Sequence, residues 1–274
     1  MPRNLLCAAL VALIPAAGIA GNLEPVEIPV VAAPHTVAPS PDLIFTVRGG
    51  VSASPTYFGS DTYEAGPDFG LSFQFVNLPG KRDIGSTDPN YRYTGFSPRG
   101  SLRLVKDRSA ADSPELAGLN DIDMALELGL GLGYTSENFR AFGDVRYGVV
   151  GHEAWVGEFG ADMIVRPTDR LTLTVGPRLF VADNSYATTY FGVSAAESVA
   201  SGGAFAAYAP AGGALSAGFE VGATYSLNDK WGIEGAVRYD RLLNDAADSP
   251  ITQQGSADQF SARLGLTRRF TLDF

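Results

Sequence analysis

The chain has 274 residues, and its 20 Lys and Arg residues face 30 Asp and Glu residues, which gives a net charge of −10. This acidic balance excludes nucleic-acid binding through an ordinary basic surface. The 32 glycines and the 11% aromatic residues are typical of either a secreted β-protein or an outer-membrane β-barrel.

The first 20 residues have the organisation of an export signal. Arg3 gives a basic start and Leu5–Ala17 an apolar stretch, and Gly18 and Ala20 are the small residues before a cleavage site that we place after Ala20. The alternative, an N-terminal membrane anchor, is disfavoured because a spanning helix needs about 20 apolar residues. Cleavage removes the single cysteine, Cys7, so the mature chain is predicted to have no disulfides.

The mature chain has two regions with different sequence patterns. Residues 21–41 are proline-rich without periodicity, which predicts an extended periplasmic linker. From residue 42 apolar and polar residues alternate, most clearly in 121–135, where Ile122 to Tyr134 fall on one face and Asp121 to Gly133 on the other. Period two predicts strands. We predict ten of them, at 42–53, 66–78, 95–106, 121–135, 139–150, 154–166, 170–182, 213–227, 231–243 and 257–274.

The connections between these strands differ in length. Short polar turns at 136–138, 167–169 and 228–230 alternate with long connections at 107–120, 183–212 and 244–256. This asymmetry is typical of a transmembrane antiparallel up-and-down β-barrel with its short turns in the periplasm. Two connections break the rule. Region 79–94 is long on the short-turn side and could hold a further strand pair, giving twelve strands, and 151–153 is short on the loop side.

Aromatic residues near the strand ends predict two girdles at the membrane surfaces. They are Tyr134, Phe139, Tyr225 and Trp231 on the short-turn side and Tyr147, Trp155 and Tyr239 on the other. The last strand ends in Phe274, which resembles the signal read by the barrel-assembly machinery. We therefore expect an outer-membrane location, with lipid and lipopolysaccharide around the barrel.

The predicted inward face carries both signs of charge at comparable numbers. A barrel of about ten strands is narrow enough for side chains to fill it. We therefore predict a closed or narrow, salt-bridged lumen rather than a selectivity ring of one sign. The charged residues assigned to this face are Arg48, Asp68, Arg99, Arg103, Asp121, Asp123, Glu127, Arg140, Asp144, Arg146, Glu158, Asp162, Arg178, Glu220, Glu234, Arg238, Asp240 and Arg263.

The sequence has no Gly-rich phosphate loop, no His/Cys cluster with metal-ligand spacing and no G-x-S-x-G motif, so we predict no catalytic, cofactor or metal site. Of the two histidines, His35 falls in the linker, so His152 is the one that a barrel hydrolase could use. Glu153, Asp61, Asp183 and Ser185 could share its rim. A single His without defined geometry is a weak signal, and a loop His in a tight turn is the competing interpretation.

Several stretches in order along the mature chain resemble the MipA/OmpV family of Gram-negative outer-membrane proteins. They are P-x-Y-x-G-S-D at 55–61, GH at 151–152, GP…AD…Y…TYFGVS at 176–194 and RL…DA.DSPI at 241–251. The resemblance implies a barrel without enzymatic activity. It further implies, for some members, scaffolding between a lytic transglycosylase and a murein synthase, and for others a porin-like or adhesin role.

Three functional hypotheses follow. The first is a structural scaffold that binds murein synthesis and hydrolysis enzymes through the linker and 79–94. The second is a narrow porin-like or adhesin surface protein acting through its extracellular loops, and the third is a hydrolase using His152. The residues we expect to make contacts in the surface loops are Tyr57, Asp61, His152 and Tyr190. In the stretch SPTYFGSDTY (54–63) we predict a first surface loop, with Tyr57, Phe58 and Tyr63 as anchors at the membrane rim.

Overall fold

The computed structural model describes residues 41–77, 84–88 and 94–273. The predicted signal peptide, the linker up to residue 40 and the terminal Phe274 lie outside the described residues, as does much of the 79–94 connection. None of the helices among the described residues is long and apolar enough to cross a bilayer.

The described residues form one antiparallel sheet in which the strands follow each other in up-and-down order. The sheet order is β3-β2-β1-β11-β10-β9-β8-β7-β6-β5-β4, so the first and last long strands, β1 and β11, are neighbours. The strands are β1 Leu43–Pro55, β2 Tyr63–Val76, β3 Ile84–Gly85, β4 Gly95–Val105, β5 Ala125–Thr135, β6 Phe139–Val150, β7 Trp155–Val165, β8 Leu171–Ala182, β9 Gly213–Ser226, β10 Trp231–Leu242 and β11 Asp258–Leu272.

This arrangement is a nearly closed barrel and confirms the predicted fold. The ten long strands match the ten predicted ones, and β3 adds a two-residue strand inside 79–94 that pairs with β2. Among the described residues no ladder joins β2 or β3 to β4. At the loop end the gap is bridged by Lys106 and Glu64, whose Nζ and Oε1 atoms are 2.7 Å apart.

Alternation along the strands separates an apolar exterior from a polar interior. In β5 the side chains of Leu128, Leu130 and Leu132 are exposed on the outside, whereas Glu127 is fully buried inside. Gly131 faces the lumen opposite Asp144, and a Cβ at that glycine would collide with the Asp144 carboxylate. An apolar outer surface around a polar lumen is the arrangement of an outer-membrane barrel.

The two ends of the barrel are built differently. Tight turns join β5 to β6, β7 to β8 and β9 to β10, and the exposed aromatic residues next to them fit the predicted girdle on that side. The opposite end carries four helices, which we did not predict from the long connections. They are α1 Asn184–Phe191, α2 Ala195–Ala200, α3 Asn244–Asp248 and α4 Pro250–Gln254.

The helices and loops at this end form a cap, defined here as residues 56–62, 106–124, 151–154, 183–212 and 243–257. In the cap, α1 buries Tyr186, Tyr190 and Phe191 against Phe58 and the loop ends of the strands. A second apolar cluster joins Leu116, Phe205 and Ile251 from three different loops. By the loop-length rule we predict that the cap faces the cell exterior.

The first loop corrects our assignment of rim anchors. Tyr57 is buried in the second cluster, and Phe58 packs edge-on against Tyr190 with ring centroids 5.2 Å apart. Of the three aromatics in that loop only Tyr63 is exposed. The reason is that the neighbouring loops pack over this loop and provide an apolar surface. Those contacts join residues far apart in the chain, so no local sequence pattern indicates them.

Candidate functional site

The lumen contains a network of ion pairs centred on Arg146, whose side chain is only 3% exposed. Arg146 Nε donates to Glu127 Oε2 at 2.8 Å, and its Nη1 donates to Glu158 Oε2 at 3.1 Å. From the facing wall, Arg238 on β10 donates to Glu158 Oε1 at 2.6 Å. Because β7 and β10 are separated by two strands in the sheet, this last pair crosses the lumen.

Further pairs continue the network on both sides. Arg178 Nη1 lies 2.8 Å from Asp162 Oδ1, an ion pair without hydrogen-bond geometry, and Arg178 Nη2 donates to Glu220 at 3.2 Å. Glu220 also accepts from Arg263. On β1, Arg48 pairs with Asp68 of β2 and with Glu234 of β10.

These contacts agree with the predicted mixed-sign, salt-bridged filling of the lumen. Two residues assigned to the inward face do not belong to it. Asp121 and Asp123 are exposed in the connection before β5, which begins only at Ala125, and Asp121 accepts a hydrogen bond from the Ala110 amide at 3.1 Å. Ile122, expected on the outer face of a strand, packs instead against the cap.

His152 lies in the tight connection between β6 and β7, with its ring fully buried. Its Nδ1 accepts a hydrogen bond from the Ala154 amide at 3.1 Å, so the ring proton sits on Nε2, which is 3.3 Å from Glu127 Oε1. The ring also packs edge-on against Tyr186 at a centroid distance of 5.0 Å. Through these contacts His152 links the cap to the lumen network.

The rim partners that a hydrolase would need are not hydrogen-bonded to His152. Within the described part of the chain, Asp183 instead caps α1 through the Tyr186 amide and accepts from the Trp155 amide. Glu153 adopts the left-handed backbone conformation of the turn, with φ of 48°. Nor, within the described ranges, do three or more His, Cys, Asp or Glu side chains converge as metal ligands would.

The four residues expected to make surface-loop contacts differ in burial. Tyr57, His152 and Tyr190 are buried, whereas Asp61 is exposed in its loop. The cause is again the packing of α1 and the loops over the barrel mouth. A role of any of the four in binding a ligand stays a prediction.

The loop containing Gly59 is hydrogen-bonded to the last long connection and to the start of β11. Gly59, with φ of 95°, donates its amide to Gln259 Oε1 at 3.1 Å, and Gln259 Nε2 donates to Ser60 O at 3.1 Å. The Ser256 amide donates to Gly59 O at 2.8 Å. The predicted turn chemistry of Gly59 is confirmed, and it serves to hold two parts of the cap together.

Arg108 is a cap residue that the sequence analysis did not single out. It is 7% exposed, and its Nη1 donates to the carbonyl of Tyr190 at 3.1 Å. No motif marks it, because Arg108 is buried by the Tyr190 and Glu197 segments, more than 80 residues further along the chain. By contrast, the Ser194-x-x-Glu197 capping box of α2 is a local signal that could have predicted a helix there.

Comparisons with known proteins bear on these observations. The sequence profile described as "MltA-interacting protein MipA" matches residues 47–270, from β1 to β11. No curated protein matches the chain.

Among solved structures, the chain is similar to three outer-membrane proteins at low identity. OprG from Pseudomonas aeruginosa is 12% identical over 84% of this chain and 97% of that one, with a TM-score of 0.29. OmpF of Salmonella typhi in complex with daunomycin is 14% identical over 84% and 57%, with a TM-score of 0.32. DcaP of Acinetobacter baumannii is 9% identical over 83% and 96%, with a TM-score of 0.35.

At TM-scores this low the likeness does not establish a shared fold, and the barrel assignment rests on the strand pairing. The family match spans most of the chain and includes both the lumen network and the cap. The chain therefore belongs to the MltA-interacting protein MipA family.

Proposed function

We propose that this outer-membrane barrel is a non-enzymatic scaffold whose periplasmic face binds murein synthesis and hydrolysis enzymes. The observation that carries the proposal is the pairing of Arg238 with Glu158 across the lumen, together with the cap over one mouth. A barrel filled in this way is poorly suited to diffusion, which leaves its two faces for interaction. The class of partner is suggested by the description of the family as interacting with MltA.

The chemistry around His152 supports a function without catalysis. A general base must be able to reach a substrate proton, and the His152 ring is fully buried with both nitrogens engaged by Ala154 and Glu127. The hydrolase hypothesis therefore lacks an accessible catalytic group at this position.

Site-specific photo-crosslinking in intact cells tests the scaffold. Photoreactive residues at Glu137 and Asp229 sample the short-turn face, and one at Val199, which is 81% exposed, samples the cap as a matched control. We expect a murein transglycosylase or synthase to be captured from positions 137 and 229 and not from 199. Capture of such enzymes from 199 alone, or from none of the three positions, would contradict the proposal.

An alternative function at the cell surface is favoured by the ordered cap. Its helices are held by side-chain caps at Asp183 and Ser194, and its loops share two apolar clusters. A rigid surface of this kind suits an adhesin better than a narrow porin. Binding of intact cells to host ligands, lost when 195–209 is replaced by a short Gly-Ser linker, would favour the adhesin over the scaffold.

The remaining partners stay predictions that follow from the barrel itself. The exposed apolar exterior requires lipid, with lipopolysaccharide in the outer leaflet, and Phe274 is the expected contact of the barrel-assembly machinery. Deletion of Phe274 should lower the amount of folded barrel in the outer membrane, measured as the heat-modifiable band on a gel. An unchanged amount would argue against that contact.

A further inference from the structure

The cap contains a cavity of about 550 Å³ that the scaffold function does not use. It lies between the connection after β4 and the connection that holds α1 and α2. A volume of this size falls within the range of small-molecule sites, which is about 300–1,000 Å³. Its lining includes Arg108, Ile122, Thr188, Val193, Glu197 and Tyr208.

The walls of the cavity are fixed by backbone pairing. Arg108 and Ile122 exchange two amide hydrogen bonds of 2.8 Å, and Val193 and Tyr208 exchange two of 2.9 and 2.8 Å. Glu197 joins the two sides, because its Oε1 accepts from the Asn120 amide at 2.9 Å. The site is therefore formed before any ligand arrives, which lowers the entropic cost of binding.

Arg108 lines this cavity and is nearly buried, with 7% of its surface exposed. Among the described residues its guanidinium makes one hydrogen bond, which runs from Nη1 to the Tyr190 carbonyl, and no described carboxylate lies within salt-bridge distance of the guanidinium. Burial lowers the pKa of the Arg108 guanidinium, although Glu197 acts in the opposite direction. A guanidinium has five N–H donors, so this group has donors left for a ligand.

The surrounding charges restrict what the ligand can be. Both oxygens of Glu197 are engaged, by the amides of Asn120 and Ser194, but its negative charge remains close to Arg108. Asp121 adds a second, more distant negative charge. One positive charge beside these carboxylates favours a ligand with a single negative charge over a dianion.

We propose that this cavity binds a small organic monocarboxylate. The carboxylate would accept hydrogen bonds from the Arg108 guanidinium, a geometry for which arginine is well suited. The apolar part of the ligand would lie against Ile122, Val193 and Ala207. The site lies on the cap, away from the short-turn face of the proposed scaffold, and is independent of that function.

Calorimetric titration of the purified barrel in detergent tests the proposal, with empty micelles as the blank. The probes are phenylacetate, its neutral counterpart 2-phenylethanol and the dianion phenyl phosphate. We expect phenylacetate to bind more tightly than either of the others. Absence of phenylacetate binding at millimolar concentration, or equal or tighter binding of one of the other two probes, would overturn the proposal.

Three variants locate the site. Arg108→Gln should weaken phenylacetate binding about tenfold or more, because a charged hydrogen bond is lost, and should leave the weaker 2-phenylethanol binding unchanged. Ala207→Trp, which fills the cavity without altering its charge, should abolish binding of both probes. Arg241→Gln removes an exposed arginine that pairs with Asp258 outside the cavity and serves as the matched control.

Two results for phenylacetate affinity in these variants would contradict the proposal. Phenylacetate affinity that falls equally in Arg241→Gln would indicate a general charge effect. Affinity that survives Ala207→Trp would place the binding elsewhere. Because the Ala207 change leaves Arg108 and its bond to Tyr190 in place, it remains informative even if Arg108→Gln fails to fold.

Discussion

Glu127 is the acidic side chain on which three groups converge. It is fully buried, accepts from Arg146 at 2.8 Å, and lies 3.7 Å from Arg103 Nη1 and 3.3 Å from His152 Nε2. Its carboxylate therefore compensates two cations in the lumen and holds the tight connection at 151–153. Loss of that charge would leave the buried Arg146 and the partly buried Arg103 without full compensation.

We predict that Glu127→Leu destabilises the folded barrel by about 3–5 kcal/mol, the usual consequence of removing one partner of a buried pair. Urea unfolding in detergent, followed by the shift between folded and unfolded bands, measures the change. Arg241→Leu, which breaks an exposed pair, is the control and should change the stability much less, because solvent screens such pairs. Equal effects of the two variants would show that the lumen pairs do not support the fold.

His152 offers a second test at this scale. We expect His152→Ala to destabilise the barrel by about 1–3 kcal/mol, because the Ala154 amide and Glu127 each lose a buried partner. The control is Asp61→Asn, which changes an exposed residue of the cap. The His152→Ala variant also tests for catalysis. The rate at which purified wild-type protein hydrolyses lipid or peptide substrates should equal the background rate of His152→Ala. Substrate turnover above that background, lost in the variant, would contradict the non-enzymatic interpretation.

At the scale of elements, the strands were predictable and the cap was not. Period-two alternation identified every long strand because each one is amphipathic by itself, as in 121–135, although β5 starts four residues later than expected. Apart from α2, which has its own capping box, the helices pack through contacts between distant loops, such as Ser249 Oγ donating to the Phe191 carbonyl at 2.7 Å. No local pattern contains such a contact, and so the burial of Tyr57 and Tyr190 was not predicted.

The α2 capping box makes one element sensitive to acid. Burial acts to raise the pKa of Glu197. Three hydrogen bonds outweigh this effect and bring the pKa below its ordinary value of 4.5; they come from the amides of Asn120 and Ser194 and from the Ser194 side chain. A carboxyl group with a lowered folded-state pKa stabilises the fold fully above the unfolded value. That stabilisation is lost as the pH falls through the folded value.

We therefore predict that the tie between α2 and the connection at 106–124 loosens below pH 4.5. The amide resonance of Asn120, followed by NMR in detergent during acid titration, should shift in that range. In Glu197→Gln the shift should be absent, since the titrating group has been removed. A wild-type Asn120 resonance that stays constant down to pH 2 would contradict the assigned role of Glu197.

At the scale of the whole molecule, the ion-pair network and the cap both lie in the path through the barrel. Arg48, Arg146, Arg178 and Arg238 pair with carboxylates from neighbouring and facing strands, and the cap packs over the loop end. The mixed-sign filling followed from the sequence, because the register of alternation assigns the charges within the strands to the lumen; Asp121 and Asp123 failed because they precede β5. The pairing across the lumen did not, because it depends on which strands face each other in the closed sheet.

The closed lumen is the central claim, and conductance of the purified barrel in planar lipid bilayers tests it most directly. A general porin in the same bilayers serves as the positive control. The Arg238→Leu variant shows whether the ion pairs themselves block the passage of ions through the lumen. We predict that the wild-type protein gives no large, stable conductance steps and that Arg238→Leu lowers stability more than it raises conductance. Large, stable steps from the folded wild-type protein would contradict the account.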